Sequence, residues 1–273
     1  ANVRYNNRKL LWELRQEYVG ENYNPEVGYL PRRGYHKTTY NANYNFFTKN
    51  KLLLTHGPGI GGYTYMDEFG NSVENETFFT YNLNFRSRDV FTVWVANDYV
   101  KLLDAFDPTN FTGIKIPAGT EHIWNSWGTS FVSRPQSLFT YGFETRYGGY
   151  YADGTRLRLA ANAAYRVQPY GSLALAAEYN DIQFPQDNTY GLIDASFWLV
   201  GPRLDVTFTK KIYFTAFLQY NQQTDNVNLN TRFQWRYAPA SDLYFVYTDN
   251  YLPEGFAVKD RAFVLKVTYW WNL

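Results

Sequence analysis

The chain predicts an all-β, antiparallel transmembrane β-barrel, and three observations carry that expectation. Residues 227–237 alternate strictly, with Val227, Leu229, Thr231, Phe233, Trp235 and Tyr237 on one face and Asn228, Asn230, Arg232, Gln234 and Arg236 on the other. A strand presents successive side chains to opposite faces, so this pattern reads as a strand between an apolar and an aqueous environment. The chain is 20% aromatic, yet its mean hydropathy is only −0.47. A barrel reconciles the two, because only every second residue must face lipid. Finally, the connections between strand-like segments alternate between long and short, the plan of outer-membrane barrels.

The elements follow in order. A first strand near 8–19 leads to a loop at 20–34 rich in Gly, Pro and Asn. The next, 35–48, turns at Lys49-Asn50 into 51–66, which contains a glycine break. A polar loop at 67–76 precedes 77–87, and Arg88-Asp89 turns the chain into 90–100. After the long loop 101–119 come 120–133, the Arg134-Pro135 turn, and 136–149. Residues 151–154 connect to 155–168, Pro169-Tyr170-Gly171 turns into 172–182, and a loop at 183–191 follows. Strand 192–209 turns at Lys210-Lys211 into 212–223. The segments 227–237, 241–249 and 261–273 complete about 14 strands, either a closed wall or one arc of a larger one.

On this reading the polar faces line a lumen. Arg156, Arg158, Arg166, Arg232, Arg236, Asn228, Asn230 and Gln234 are its candidate lining residues. The arginines would tune pore selectivity as a charged ring does, or pair with carboxylates such as Glu144 and Glu178 to brace the interior, the favoured role. Tyr81, Phe85, Tyr165, Trp235, Tyr237, Tyr269 and Trp271 lie near segment ends. They suit interfacial girdles, where a ring is apolar and its tip is wet.

Composition narrows the function further. Net charge is +1, which gives no nucleic-acid footprint. There is no cysteine, hence no disulfide or thiolate metal site. No run of about 18 apolar residues offers a transmembrane helix. Residues 1–30 lack a basic stretch followed by an apolar one, so a leader is expected to have been removed or the chain to be part of a longer one.

Local motifs add little chemistry. Gly57-Pro58-Gly59-Ile60-Gly61-Gly62 matches a dinucleotide fingerprint in form. No helical pattern follows it, so a glycine-rich strand making room for a neighbouring side chain is the better reading. His36, His56 and His122 are far apart and form no local constellation, so no catalytic residue is expected. Asp104, Asp107 and Asn110 supply oxygen donors without calcium-loop spacing, so no metal and no cofactor is expected. Trp124, Trp127, Tyr150 and Tyr151 lie near loop bases, where they could stack on sugars or serve as girdle residues.

Four stretches carry a family resemblance: Asn24-Pro25-Glu26-Val27-Gly28-Tyr29-Leu30-Pro31-Arg32, Ile116-Pro117-Ala118-Gly119, Asp153-Gly154-Thr155, and the segment from Phe217-Leu218-Gln219-Tyr220-Asn221 to Ser241-Asp242-Leu243-Tyr244. In this order they resemble the uncharacterised outer-membrane barrels of Gram-negative bacteria that carry an N-terminal carbohydrate-binding domain of the family 9 type. The resemblance implies that residues 1–273 are the C-terminal part of such a barrel. It also implies a bacterial outer-membrane location, a link to glycans, and outer-membrane lipids and proteins as partners. It transfers no catalytic residue. The terminus departs from the usual aromatic ending, since Leu273 follows Trp270, Trp271 and Asn272.

The function expected from sequence is therefore a pore or platform for solutes. The alternatives are a scaffold barrel that binds partners through loops 20–34, 101–119 and 250–260, and, last, an embedded hydrolase.

Overall fold

The computed structural model describes residues 1–273 apart from Val27, Tyr29, Pro31, Phe256, Asn272 and Leu273. Part of the first resemblance stretch, and the Leu273 terminus, therefore lie outside the described residues. Sixteen strands run in chain order: β1 (Asn2–Asn6), β2 (Leu10–Val19), β3 (Tyr35–Tyr44), β4 (Phe46–Phe47), β5 (Leu53–Met66), β6 (Ser72–Phe85), β7 (Val90–Lys101), β8 (Glu121–Val132), β9 (Phe139–Gly149), β10 (Thr155–Val167), β11 (Gly171–Gln183), β12 (Ala195–Thr209), β13 (Ile212–Asn221), β14 (Asn226–Ala238), β15 (Ser241–Tyr251) and β16 (Val258–Val267). A 3-10 turn, Tyr151–Asp153, lies between β9 and β10.

Two differences from the sequence reading have local causes. Residues 2–6 form a strand because Asn7 makes a tight turn, its Oδ1 accepting from the backbone N–H of Lys9 (2.8 Å) and Leu10 (2.7 Å). Only Val3 and Tyr5 mark its apolar face, too few to read as a stripe. The expected loop 67–76 shrinks to 67–71. Asp67 Oδ1 accepts from Phe69 N and Asn71 N, and Gly70 takes the left-handed φ of 84° that closes the turn.

The strand order is β1-β2-β3-β5-β6-β7-β8-β9-β10-β11-β12-β13-β14-β15-β16, with β4 paired to β5 beside this path. Each strand thus neighbours its sequence neighbours. The registered pairs are antiparallel, across connections that range from tight turns to the long segment between β7 and β8. Removing β4 from 16 strands leaves 15 on the path. No pairing joins β1 to β16 among the described residues.

This overturns the expected barrel. The fold is all-β and antiparallel, as predicted, but it is an unclosed sheet of 16 strands. A membrane pore needs a wall in which every backbone group is paired. The pore or platform role, the scaffold-barrel and embedded-hydrolase alternatives, and the outer-membrane location are corrected with the barrel. So are outer-membrane lipids, outer-membrane proteins and glycans as partners. The open order likewise gives no support to the resemblance to the outer-membrane family or to its carbohydrate-binding domain.

The chain divides into two compact units: 1–132, 144–157 and 181–195 form the first, and 133–143, 158–180 and 196–273 the second. In the first unit, Phe79 pairs with Val95 and Val95 with Trp127, and all three are exposed. On the opposite face, Ala96, Asp98 and Ser126 are buried. The alternation is real, but the small and polar residues are the ones withdrawn from solvent.

One interaction explains how that polar face is held. Arg146 on β9 donates to Glu76 Oε1 on β6 (2.8 Å), to both carboxylate oxygens of Asp98 on β7 (2.9 and 2.7 Å) and to Ser126 Oγ on β8 (3.0 Å). Its guanidinium also lies 5.5 Å from the Trp94 ring. One planar cation with five fixed donors thus ties four strands. Gly128 completes the packing, because a Cβ there would meet Thr145 O at 1.9 Å and the Trp94 ring at 2.5 Å.

In the second unit, the register places Asn228 opposite Asn250, Asn230 opposite Thr248, and Gln234 opposite Tyr244. Asn230 Nδ2 donates to Thr248 Oγ1 at 2.9 Å, and Gln234 Nε2 to Asp242 at 3.0 Å. The other face stacks Phe233, Phe245 and Leu265 in one row, and Trp235, Leu243 and Val267 in the next. Such cross-strand pairs contribute roughly 0.2–1 kcal/mol each.

Candidate ligand-binding site

Three segments of the first unit meet around His122, near the start of β8. The first is the connection after β7. Phe106 and Ile116 bridge it with paired backbone hydrogen bonds, and Ile116 is fully buried. Asp107 knots its centre, accepting from Thr109 N (2.8 Å), Thr109 Oγ1 (2.6 Å) and Gly113 N (2.7 Å). Burial raises the Asp107 pKa, but these donors outweigh it and hold the carboxyl below its ordinary value. Its oxygens are engaged by protein donors, which brace the loop. No group of three or more His, Cys, Asp or Glu fit for a metal occurs among the described residues.

The second segment is the turn after β9. Tyr150 donates its hydroxyl to Pro108 O at 3.0 Å, which fastens the turn to the first loop. Ala152 and Asp153 both take left-handed φ angles, 52° and 58°. Asp tolerates that region better than most residues, and Ala152 N is thereby aimed at His122 Nδ1 (3.3 Å). Gly154 is dictated by the third segment, since a Cβ would meet the Phe184 ring at 2.7 Å and Gln183 O at 2.8 Å. That third segment, after β11, is stapled by Asn188. Its side chain accepts from Leu192 N (2.6 Å) and donates to Pro185 O and Leu192 O.

Together these segments enclose a cavity of about 390 Å³ lined by Glu121, His122, Tyr150, Asp153, Asp187 and Tyr190, among others. Its size falls within the usual range for small-molecule sites. An aromatic cluster stands beside it: the Tyr151 ring lies 4.9 Å from both Trp124 and Tyr150 and 5.4 Å from His122. Burial holds the His122 pKa below its ordinary value, although Asp153 pulls the other way. Both ring nitrogens are engaged. Nδ1 accepts from Ala152 N, and Nε2 faces Thr120 Oγ1 at 3.1 Å, whose own proton goes to Pro117 O. His122 is thus a neutral wall residue. Glu121 is paired with Lys101 at 3.0 Å. Asp153 and Asp187 have no ion pair among the described residues.

None of the residues selected from sequence as lumen-lining or girdle candidates lines this cavity. Arg156 sits over the Tyr150 ring at 5.4 Å, beside the site. Arg158 pairs with Glu178 at 2.8 Å, the bracing role expected for a carboxylate of that kind. Arg166 donates to Pro135 O and Ser137 O, and Arg236 reaches Asp242 at 3.4 Å. Arg232 lies close enough to Asp205 to help hold that carboxyl low. Among the girdle candidates, Tyr81, Tyr165, Trp235, Tyr269 and Trp271 are exposed. Phe85 and Tyr237 are partly covered, and Tyr237 donates to Thr268 O. Tyr269 and Trp271 lie beyond the end of β16. His56 bonds Tyr81 and His36 stacks on Tyr18, so the three histidines serve three separate places.

Sequence reasoning passed over Asp153 and Asp187 as site residues, and Arg146 altogether. A usable signal for Arg146 existed: Glu76 and Asp98 are acidic residues on the polar faces of adjacent strands and call for a cation.

No protein-family model, no curated protein and no solved structure matches this chain. The reading of its function therefore rests on the site itself.

Proposed function

We propose that the first unit is a non-catalytic binding module for a small organic cation carrying ammonium groups. The observation that carries this reading is the cavity whose wall holds two carboxylates, Asp153 and Asp187, neither with an ion pair among the described residues. Tyr150 and Tyr190 line the same space, and the Tyr150 ring already takes the Arg156 guanidinium on its face at 5.4 Å, so an aromatic face beside this wall accepts a cation. The absence of covalent chemistry is part of the proposal. It is supported by His122, whose two ring nitrogens are both taken up by Ala152 N and Thr120 Oγ1.

Titration calorimetry with 1,4-diaminobutane, 1,4-butanediol and succinate tests the reading. The diamine binds, weakens with added salt, and is recovered chemically intact, whereas the diol and the dianion do not bind. Asp187→Asn lowers the diamine affinity several-fold. Asp153→Asn does the same while keeping a residue that tolerates the left-handed backbone. Equal binding of the diol, or no heat with the diamine at millimolar concentration, overturns it.

A further inference from the structure

The most exposed element of the second unit is its last strand. All ten residues of β16 are exposed, and among the described residues β16 pairs on one side only, with β15. Its interior carries Ala262-Phe263-Val264-Leu265, with Phe263 at 64% and Leu265 at 67% exposure. Proteins ordinarily blunt such edges with charged side chains, proline, bulges or short length, and the charges of β16, Lys259, Asp260, Arg261 and Lys266, all lie on either side of this apolar run. β16 has no proline, and its single irregularity lies at its start, between the pairs Asn250–Asp260 and Tyr251–Val258.

The hydrogen-bond phase of the free edge follows from its pairing with β15. Thr268 N donates to Asp242 O, and Asp242 N to Thr268 O. Even-numbered positions therefore direct their backbone groups at β15. Arg261, Phe263, Leu265 and Val267 direct theirs outward, as the alternation of an antiparallel ladder requires.

We infer that β16 pairs antiparallel with β16 of a second copy of this chain, about a two-fold axis at Phe263. In this register Phe263 faces its own copy, Ala262 faces Val264, Arg261 faces Leu265, and Asp260 faces Lys266 twice over. All outward backbone groups at 261, 263 and 265 are satisfied, giving about six new hydrogen bonds. Residues of equal parity oppose each other, so each face of one sheet continues into the same face of the other. Charge selects this register from its neighbours. Moving the axis by one residue sets Asp260 opposite Val264 or Thr268 and separates it from Lys266. Neither Asp260 nor Lys266 has an ion pair among the described residues. The interface is isologous and closes at two copies.

The native chain has no cysteine, so single-cysteine variants report cleanly. Phe263→Cys is treated with a bis-thiosulfonate reagent spanning about 5 Å, the separation of directly opposed Cβ atoms. It yields a covalent dimer. Leu265→Cys does not, because its two copies stand four residue steps apart, about 13 Å. By light scattering the native chain has twice the single-chain mass of 32.0 kDa. Lys266→Asp returns it to the single-chain mass, and Asp260→Lys combined with Lys266→Asp restores the dimer. These side chains are exposed, so folding is not at issue. A native chain of single mass, equal crosslinking at both positions, or failure of the charge swap to restore the dimer overturns the inference.

Discussion

Replacing Arg146 by Met keeps the length of the side chain and removes its charge. Glu76 and Asp98 then face each other with no cation between them. Their side chains are only 15% and 9% exposed, so water cannot take over the role of the guanidinium. Stripping one partner from a buried ion pair costs about 3–5 kcal/mol. Arg146 itself keeps 27% exposure, which places the expected loss at the lower end, about 3 kcal/mol. Urea unfolding followed by tryptophan fluorescence reads this directly. With a slope of about 3 kcal/mol per molar, the midpoint falls by about 1 M. Adding Asp98→Asn to Arg146→Met removes the like-charge contact and recovers at least half of the loss. A single variant that loses less than about 1 kcal/mol, or a double variant no more stable than the single, would refute the view that one cation clamps these strands.

Two further predictions concern the same region. Burial raises the Glu76 pKa, ahead of the opposing bond from Arg146. The folded chain therefore holds this proton more tightly than the unfolded one, and its contribution to stability is full below the unfolded value of 4.5 and lost as pH rises through the folded pKa. Glu76→Gln removes that component, so the difference in stability between variant and native chain grows in the variant's favour between pH 4 and neutrality; a constant difference across that range contradicts the assignment. Gly128→Ala drives a Cβ into Thr145 O and the Trp94 ring and costs about 1–3 kcal/mol by thermal or urea unfolding; a neutral result would mean that β8 and β9 can separate without loss.

What was legible in the sequence was the pattern along single strands. The stripe at 227–237 became β14, Asn226–Ala238, although the lipid and lumen roles expected for its two faces fell with the barrel. The pairing of Arg158 with Glu178 was also foreseeable, since both lie on polar faces of successive strands. What was not legible depended on counting and on contacts between distant segments. A five-residue strand with only two apolar markers went unseen, and it changes the strand path from even to odd. The cavity at His122 draws on residues from 121 to 190, held by a left-handed turn at Ala152 and an asparagine staple at Asn188. Neither device has a periodicity that a pattern search detects.

The unbroken succession of sequence neighbours in the strand order has a consequence for how the chain assembles. No strand waits for a partner made much later, so each hairpin can dock on the one already formed as the polypeptide emerges. Most steps close a short loop, and because closure entropy grows slowly with loop length, the longer connections after β2 and β7 add little to the cost. Such a chain lengthens or shortens by whole hairpins with little disturbance to the remainder, much as stacked repeats do. Its terminal strands are then the surfaces on which growth, exchange or arrest of the ladder is decided.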